Sequence, residues 1–449
     1  MNSLFPDQRL VEGNREFTRL TPNFSVYSAG GMYFIYTFSL ALGLVLTFPY
    51  YLVRFRNYLP TLPDRFGFLK LPRMKASIWV HAVSVGEIKA VERLLERLRQ
   101  QFPDTPLVVS TVTPAGQALA RERSDIIHST FYFPIDLPWC VRRVLDRIAP
   151  EIVVIAETEI WPNFLRECRI RGIRVMMING RISDRSFNRY RLIRHWLERV
   201  LRDYTIIGMQ SETDRQRIEA IGADPQRVTV LGNLKYDAVA AGKPLDAQLH
   251  KFMAGWQLIW IAASTMPGEE QLVLDAFAEL RKGHPDLKLI IAPRHANRFD
   301  AVATMLENAR LRWKRRTELP DSGKRSGDVL LLDTIGELAA LFHHATVVFI
   351  GGSLVATGGH NILEPARHRK PIVFGPHMEN FRDMARMFLE AKAAIQIRNE
   401  RHLAPAIEKL LVNPELALEL GSNAHAVLLE NAGATDRVLQ LFQPVGARR

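Results

Sequence analysis

The stretch IGGSLVATGGHNILEPARHRKPIVFG, residues 350–375, decides the fold. Residues 345–350 form an apolar run that reads as a buried strand and stops at Gly351-Gly352. A second pair, Gly358-Gly359, precedes His360 and Asn361. Asn361 can cap a helix, and Glu364, three residues on, can answer it as in a capping box. Residues 371–374 then read as another buried strand. Strand, glycine turn, helix and strand together make the repeating unit of an α/β fold. The glycines allow backbone to approach a ligand closely, and the helix start offers free N–H groups and a positive dipole end to an anion such as a nucleotide. The same unit is also an ordinary turn whose glycines only make the bend, and taken alone it does not decide between the two.

Outward from it the alternation continues in both directions. Upstream, a strand pattern at 258–263 is followed by Ser264-Thr265-Met266-Pro267-Gly268-Glu269, which opens a helix. A strand at 287–292 ends in Pro293-Arg294-His295, where an arginine just past a buried strand can meet phosphate in fork geometry. A strand at 329–332 leads into Asp333-Thr334-Ile335-Gly336-Glu337-Leu338 and a helix start, and helices close the chain from 400 to 442. A second series lies nearer the N-terminus. Its strands are expected at 78–83, 107–111, 152–156, 175–178, 205–209 and 228–230, with amphipathic segments at 88–101, 137–148 and 187–202. Residues 239–245, with Gly242 and Pro244, read as the linker. Two α/β domains follow, each a parallel sheet covered on both faces with ligands beyond the strands' carboxyl ends.

The polar residues that follow strands are therefore the candidate site. After the first strand comes His81-Ala82-Val83-Ser84-Val85-Gly86-Glu87. Glu87 at a helix start is either stabilised by the dipole, worth about 0.3–1 kcal/mol, or a general base at the cleft mouth, with Gly86 leaving room for substrate. Glu157-Thr158-Glu159-Ile160-Trp161-Pro162-Asn163 follows the 152–156 strand; its two carboxylates share a face if the strand continues, and Pro162 suits a helix start. Asn179-Gly180-Arg181 and Ser211-Glu212-Thr213-Asp214 end two later strands, the second of which also reads as a plain helix cap. Lys235, in Gly232-Asn233-Leu234-Lys235-Tyr236-Asp237, is either a point charge for a carboxylate or phosphate in the cleft or a solvated linker lysine.

Composition bounds the partners. A chain of 449 residues is too long for one ordinary core. Two cysteines, Cys140 and Cys168, have no metal-ligand spacing and fit a reducing compartment. The net charge of +12, from 59 basic and 47 acidic residues, favours anionic partners. No RNA-binding signature or aromatic-interleaved basic run is present, which ranks nucleic acid last. No strand is followed by G-x-G-x-x-G with an acid about 20 residues on, which argues against a dinucleotide-dependent dehydrogenase.

Residues 32–53, MYFIYTFSLALGLVLTFPYYLV, carry no charge and are long enough to span a hydrocarbon core of about 30 Å. Tyr33, Tyr36, Tyr50 and Tyr51 sit near the ends, and Arg54 and Arg56 follow, which leaves the later domains in the cytoplasm. Phe48-Pro49-Tyr50-Tyr51 is no small-residue cleavage site, and Pro49 leaves room for a helix lying in the interface. Residues 1–31 read as a polar extension, with Met32 a second candidate start.

HAVSVGE (81–87), ETEIWPN (157–163), NGRIS (179–183), GNLKYD (232–237), APRH (292–295) and GGHNILEPA (358–366) occur together and in order. With the apolar N-terminal segment they closely resemble the 3-deoxy-D-manno-octulosonic acid (Kdo) transferases of lipopolysaccharide synthesis, over about residues 32–430. The resemblance implies a GT-B fold with an anchor helix at 32–53, an acceptor-binding Rossmann-like domain at 54–238 and a CMP-Kdo-binding one at 239–449. It implies CMP-Kdo as donor, a lipid A precursor as acceptor, inner-membrane lipid as a further partner, and inversion at the anomeric carbon with no metal or cofactor. It assigns the general base to Glu87, and it assigns CMP contacts to Pro293, Arg294, Gly336, Glu337, Leu338, Asn361, Ile362, Leu363 and Glu364. Glu157 and Lys235 are candidates for shaping the transition state. Two other classes keep the same pattern: a GT-B enzyme using a UDP-sugar with a lipid-linked acceptor, and a non-catalytic membrane-anchored scaffold.

Overall fold

The computed structural model describes residues 26–54, 56–238, 245–319 and 327–442. The 239–244 part of the linker and residues 1–25 of the polar extension lie outside the described residues. The first domain is one parallel sheet: β1 (Ser77–His81), β2 (Leu107–Thr111), β3 (Ser129–Tyr132), β4 (Pro150–Ala156), β5 (Arg174–Gly180), β6 (Ile206–Met209) and β7 (Val228–Val230). Its spatial order is β3-β2-β1-β4-β5-β6-β7. The second repeats the plan with β8 (Leu258–Thr265), β9 (Leu287–Pro293), β10 (Trp313–Arg315), β11 (Val329–Leu331), β12 (Val347–Ile350), β13 (Ile372–Phe374) and β14 (Ile395–Gln396). The order there is β10-β11-β9-β8-β12-β13-β14.

In the first sheet the chain winds outward from β1 to β3 and then crosses to β4. In the second it passes from β8 and β9 to the edge strand β10, returns to place β11 between β10 and β9, and then crosses to β12. The crossing leaves a crevice at the carboxyl ends of β1 and β4, and a matching one at β8 and β12. These switch points are where α/β sheets take ligands, because the flanking helices diverge there and leave backbone ends uncovered. The motifs at 81–87 and 157–163 flank the first crevice; those at 264–269 and 351–364 flank the second.

Each sheet is buried on both faces, which explains why its strands read as continuous apolar runs. On the first sheet, Trp79, Phe131, Phe133 and Phe164 fill one face, and Val80, Val91, Leu94 and Val154 the other. The final helix, Ala434–Gln440, returns to that second face: Ala434, Val438 and Leu439 join its core. Asp237 holds the start of this helix by accepting from Gly433 N at 2.6 Å and Thr435 N at 2.5 Å.

The expected strands are present with ends shifted by a few residues. Three edge or near-edge strands, β3, β10 and β14, lie beyond the expected set. They are short, and β10 (Trp313-Lys314-Arg315) is only half-buried and carries two charges, so its apolar signal is weak. The helix Pro114–Glu122 is a further addition. The segment expected as one helix over 187–202 is two, Asp184–Leu192 and Arg194–Leu201, and the first buries none of its side chains. The uncharged N-terminal run is helical within Val26–Arg54, with Pro49 inside it. Among the described helices it alone is long and apolar enough, over Gly31–Tyr50, to cross a membrane.

Candidate functional site

Three carboxylates and one lysine converge at the first crevice. Ser84 caps the helix Val85–Gln101 in extended geometry without a side-chain bond, and Glu87 occupies the third helical position. Its carboxylate turns back on the loop, accepting from Val83 N at 2.6 Å and from Ser84 Oγ at 3.1 Å. Burial pushes the Glu87 carboxyl up to about 7, aided by the negative charges of Glu157 and Glu159 and opposed by those two hydrogen bonds. Glu159 is likewise pushed up to about 7, by burial first and then by Glu157. Lys235, on the short 3-10 turn Leu234–Tyr236, brings Nζ to 4.0 Å from Glu157 Oε1.

The strand does not continue through Glu157, so the two carboxylates do not share a strand face. β4 ends at Ala156, Glu157 takes a left-handed φ of 65°, and Glu159 N returns to Glu157 O at 3.1 Å. This tight turn brings Glu159, like Glu157, into electrostatic reach of Glu87. Sequence reasoning assigns Glu159 no role of its own, although its spacing in ETEIWPN marks it. His81, by contrast, belongs to the core. It is fully buried, Nδ1 lies 2.9 Å from Ser110 Oγ, its ring packs on Phe133, and burial pulls it down to about 3, so it is neutral.

On the second crevice, Arg294 follows β9, is exposed, and is near enough to His360 and Glu364 to perturb both. His360 is pulled down to about 4, by burial first and then by Arg294 and His295. Its buried Nε2 has no hydrogen-bond partner among the described residues. Burial raises Glu364, and Asn361, Lys89 and Arg294 hold it back. Lys89 is two residues past Glu87, so Glu364 faces the helix that carries Glu87.

The anticipated capping box at 361–364 does not form. Ile362 is the N-cap, with no side-chain cap. Asn361 Oδ1 accepts from Leu363 N at 3.0 Å, and its amide nitrogen donates to Glu364 Oε1 at 3.1 Å. The box needs Glu364 to reach the cap residue's backbone N–H. Here it takes a side-chain amide instead, and no protein donor to Oε2 is seen among the described residues. Glu337 is occupied: Arg316 donates to its Oε1 at 2.9 Å and Thr334 to its Oε2, while Gly336 beside it takes a φ of 95° in open space.

The glycines of 351–375 serve the fold rather than a ligand. A Cβ on Gly351 would stand 2.4 Å from Ser264 O, one on Gly358 2.3 Å from Asn380, and one on Gly375 2.2 Å from Ser353 O. Glu269 ties the same turns together. Fully buried, it accepts from the backbone N–H of Met266, Gly352, Ser353 and Leu354 at 2.6–3.0 Å. A cavity of 610 Å³ between the domains is lined by Arg181, Ser211, Asn233 and Tyr236 from one side and Asp383 and Met387 from the other. It lies beside the carboxylate cluster and includes neither Glu87 nor Arg294. Among the described residues no group of three or more His, Cys, Asp or Glu is placed to hold a metal ion.

Two doubly wound domains with polar crevices facing one another make the GT-B fold. A glycosyltransferase from Rickettsia africae shares the fold at a TM-score of 0.53 and 13% identity, covering 82% of this chain and 98% of that one. A family model described as 3-deoxy-D-manno-octulosonic-acid transferase (kdotransferase) matches residues 61–238. The 3-deoxy-D-manno-octulosonic acid transferase of Haemophilus influenzae is 33% identical over 403 residues, 87% of this chain and 93% of that protein. The Bordetella pertussis protein of the same name is 30% identical over 85% of this chain and 91% of its own length. The chain belongs to the Kdo transferase family and is a glycosyltransferase of lipopolysaccharide biosynthesis.

Proposed function

We propose that the enzyme moves Kdo from CMP-Kdo to a lipid A precursor, lipid IVA, with inversion and without a metal. The supporting observation is the pairing of the two crevices: a half-buried Glu87 with its carboxyl near 7 on one wall, and Arg294, His360 and Glu364 on the other. A carboxyl poised near neutral pH is suited to take a proton as a bond forms. The acceptor hydroxyl attacks the anomeric carbon of Kdo and gives its proton to Glu87. The bond from that carbon to the CMP phosphate breaks, and CMP leaves with the electron pair.

Charge on the leaving CMP is met by the Arg294 guanidinium and the backbone around 336–338 and 361–364. The free oxygen of Glu364 is suited to the ribose hydroxyls. Lys235, tethered to Glu157, offsets the donor's carboxylate. The apolar N-terminal helix keeps the cleft beside an acceptor whose acyl chains remain in the inner membrane, at its cytoplasmic face. Positive charge on the chain suits donor, acceptor and lipid surface, all anionic.

The test is purified protein supplied with CMP-Kdo and lipid IVA. A product heavier by whole Kdo units, with CMP released, is expected, and its mass gives the number of additions. Release of UDP from a UDP-sugar instead identifies a different donor; no turnover with either favours a scaffold. Glu87→Ala should abolish transfer and leave CMP binding close to normal, and near-normal turnover in that variant removes Glu87 from the base role.

A further inference from the structure

The N-terminal helix Val26–Arg54 is tied to the first domain near the start of its apolar run. Tyr33 OH donates to Asp203 Oδ2 at 3.1 Å and Tyr36 OH to Asp136 Oδ2 at 3.0 Å. Asn163 Nδ2 donates to Thr37 Oγ1 at 2.9 Å. These partners are fixed parts of the fold. Asp136 and Asn163 are each 1% exposed, and Asp136 also accepts from the backbone N–H groups of Asn163 and Phe164. Arg166 stacks over the Tyr33 ring, and Tyr36 packs on Trp196.

Past the helix the chain returns to the same spot. Arg65 O accepts from Ile135 N at 2.9 Å, and Asp64 Oδ2 from Tyr132 N at 3.4 Å. Ile135 and Asp136 are neighbours, so residues 37–64 leave the domain and come back to one loop of it. A membrane span must instead deliver its two ends to opposite sides. From Phe38 to Arg54 a helix rises only about 25 Å, short of the hydrocarbon thickness of about 30 Å. The charged residues Arg54, Arg56 and Asp64 would also have to cross back.

Between residues 34 and 46 the exposed apolar side chains form one stripe. Phe34, Ile35, Phe38, Leu42, Val45 and Leu46 are 48–71% exposed. At 100° per residue they fall within about 120° of the helix circumference, with Tyr33, Tyr36 and Thr37 outside that arc. Phe48 and Tyr50, exposed near the helix end, flank the arc on either side. Next to the docking loop, Phe68 and Trp139 are also exposed, and the Arg143 guanidinium lies over both rings. Aromatic rings with an overlying guanidinium suit the headgroup level of a bilayer.

We infer that this helix enters a single leaflet, its stripe in the acyl region, with both ends held on the side of the catalytic domains. The inference rests on the membrane reading above and replaces a span with a docked, one-sided anchor.

Topology labelling tests it in membranes holding the full chain. Cys140 and Cys168 are buried and should not react with a membrane-impermeant maleimide, which the unsubstituted chain checks. Ser3→Cys should react in inverted vesicles, as Asn308→Cys does, and stay unreactive in intact spheroplasts. Reaction of Ser3→Cys in spheroplasts overturns the inference while leaving membrane binding intact. Purified protein should also float with vesicles of phosphatidylethanolamine and phosphatidylglycerol. Phe38→Ser/Leu42→Ser/Leu46→Ser together should lower the floated fraction at least tenfold, with thermal unfolding unchanged. A chain that pellets with native membranes but not with lipid alone has a protein on its stripe, which overturns the inference. A chain that binds neither overturns the membrane reading as well.

Discussion

Replacing Glu87 by glutamine should make the protein more stable and less active, with the stability gain confined to neutral and alkaline pH. The Glu87 carboxyl moves from an ordinary 4.5 to about 7 in the fold, through burial first and then the charges of Glu157 and Glu159. A carboxyl raised in this way holds its proton more tightly folded than unfolded. Stability therefore falls as pH climbs from 4.5 to about 7, and the full penalty is present above that. The shift corresponds to about 3 kcal/mol at pH 8, as an upper figure because a neutral amide in place of the carboxylate would hold Val83 N and Ser84 more weakly. Thermal unfolding of both proteins should coincide near pH 5 and separate by several degrees near pH 8, at about 2–4 °C per kcal/mol for a domain of this size. In the transfer assay the wild type should gain tenfold in kcat/KM per pH unit below about pH 7 and level off above. Glu87→Gln should lose about 10²–10⁴-fold at the plateau. An unfolding gap that is the same at pH 5 and 8, or a variant within tenfold of wild type, refutes the assignment of a neutral-range carboxyl to the base.

Two further outcomes separate fold from site. Gly86→Ala should fold with a transition at or slightly above that of wild type, since a Cβ there meets nothing closer than Ser84 Oγ at 3.8 Å and alanine favours the helix; transfer should nevertheless drop at least tenfold, and an unchanged rate would show the space over Gly86 to be unused. Glu269→Ala leaves four backbone N–H groups without an acceptor and should lower stability by about 3 kcal/mol or more, read by urea unfolding of the full chain.

The domain architecture was legible because parallel strands buried on both faces write themselves as apolar runs, and strand ends carry the polar turns. What the one-dimensional pattern does not carry is which strand ends are neighbours. β1 and β4 are adjacent although two strands intervene in sequence, so Glu87 and the 157–159 turn meet only in the fold. The placement of Glu159 beside Glu87 is hidden for a related reason. Strand periodicity gives it a geometry that Glu157, in left-handed conformation, prevents. The apolar N-terminal helix was legible by length and charge alone. Its docking depends on Asp136 and Asp203, two carboxylates whose positions in sequence look like ordinary loop residues.

The glycines show most clearly how a motif misleads and then informs. Gly351, Gly358 and Gly375 looked like places for a ligand to approach, yet each is already filled by the chain's own atoms. Their requirement is met by packing, so they argue for the fold and say nothing of a substrate. Gly86 is the reverse case. It has ordinary backbone geometry and sits in the first turn of a helix, where glycine is unfavourable by something less than the roughly 1 kcal/mol of a helix interior. A Cβ there would meet only Ser84 Oγ, at 3.8 Å, beside the Glu87 carboxylate. The fold supplies no reason for glycine there. On the proposed function, a substrate pressed against the helix start, within reach of a carboxyl poised near neutrality, is the occupant that would account for both residues.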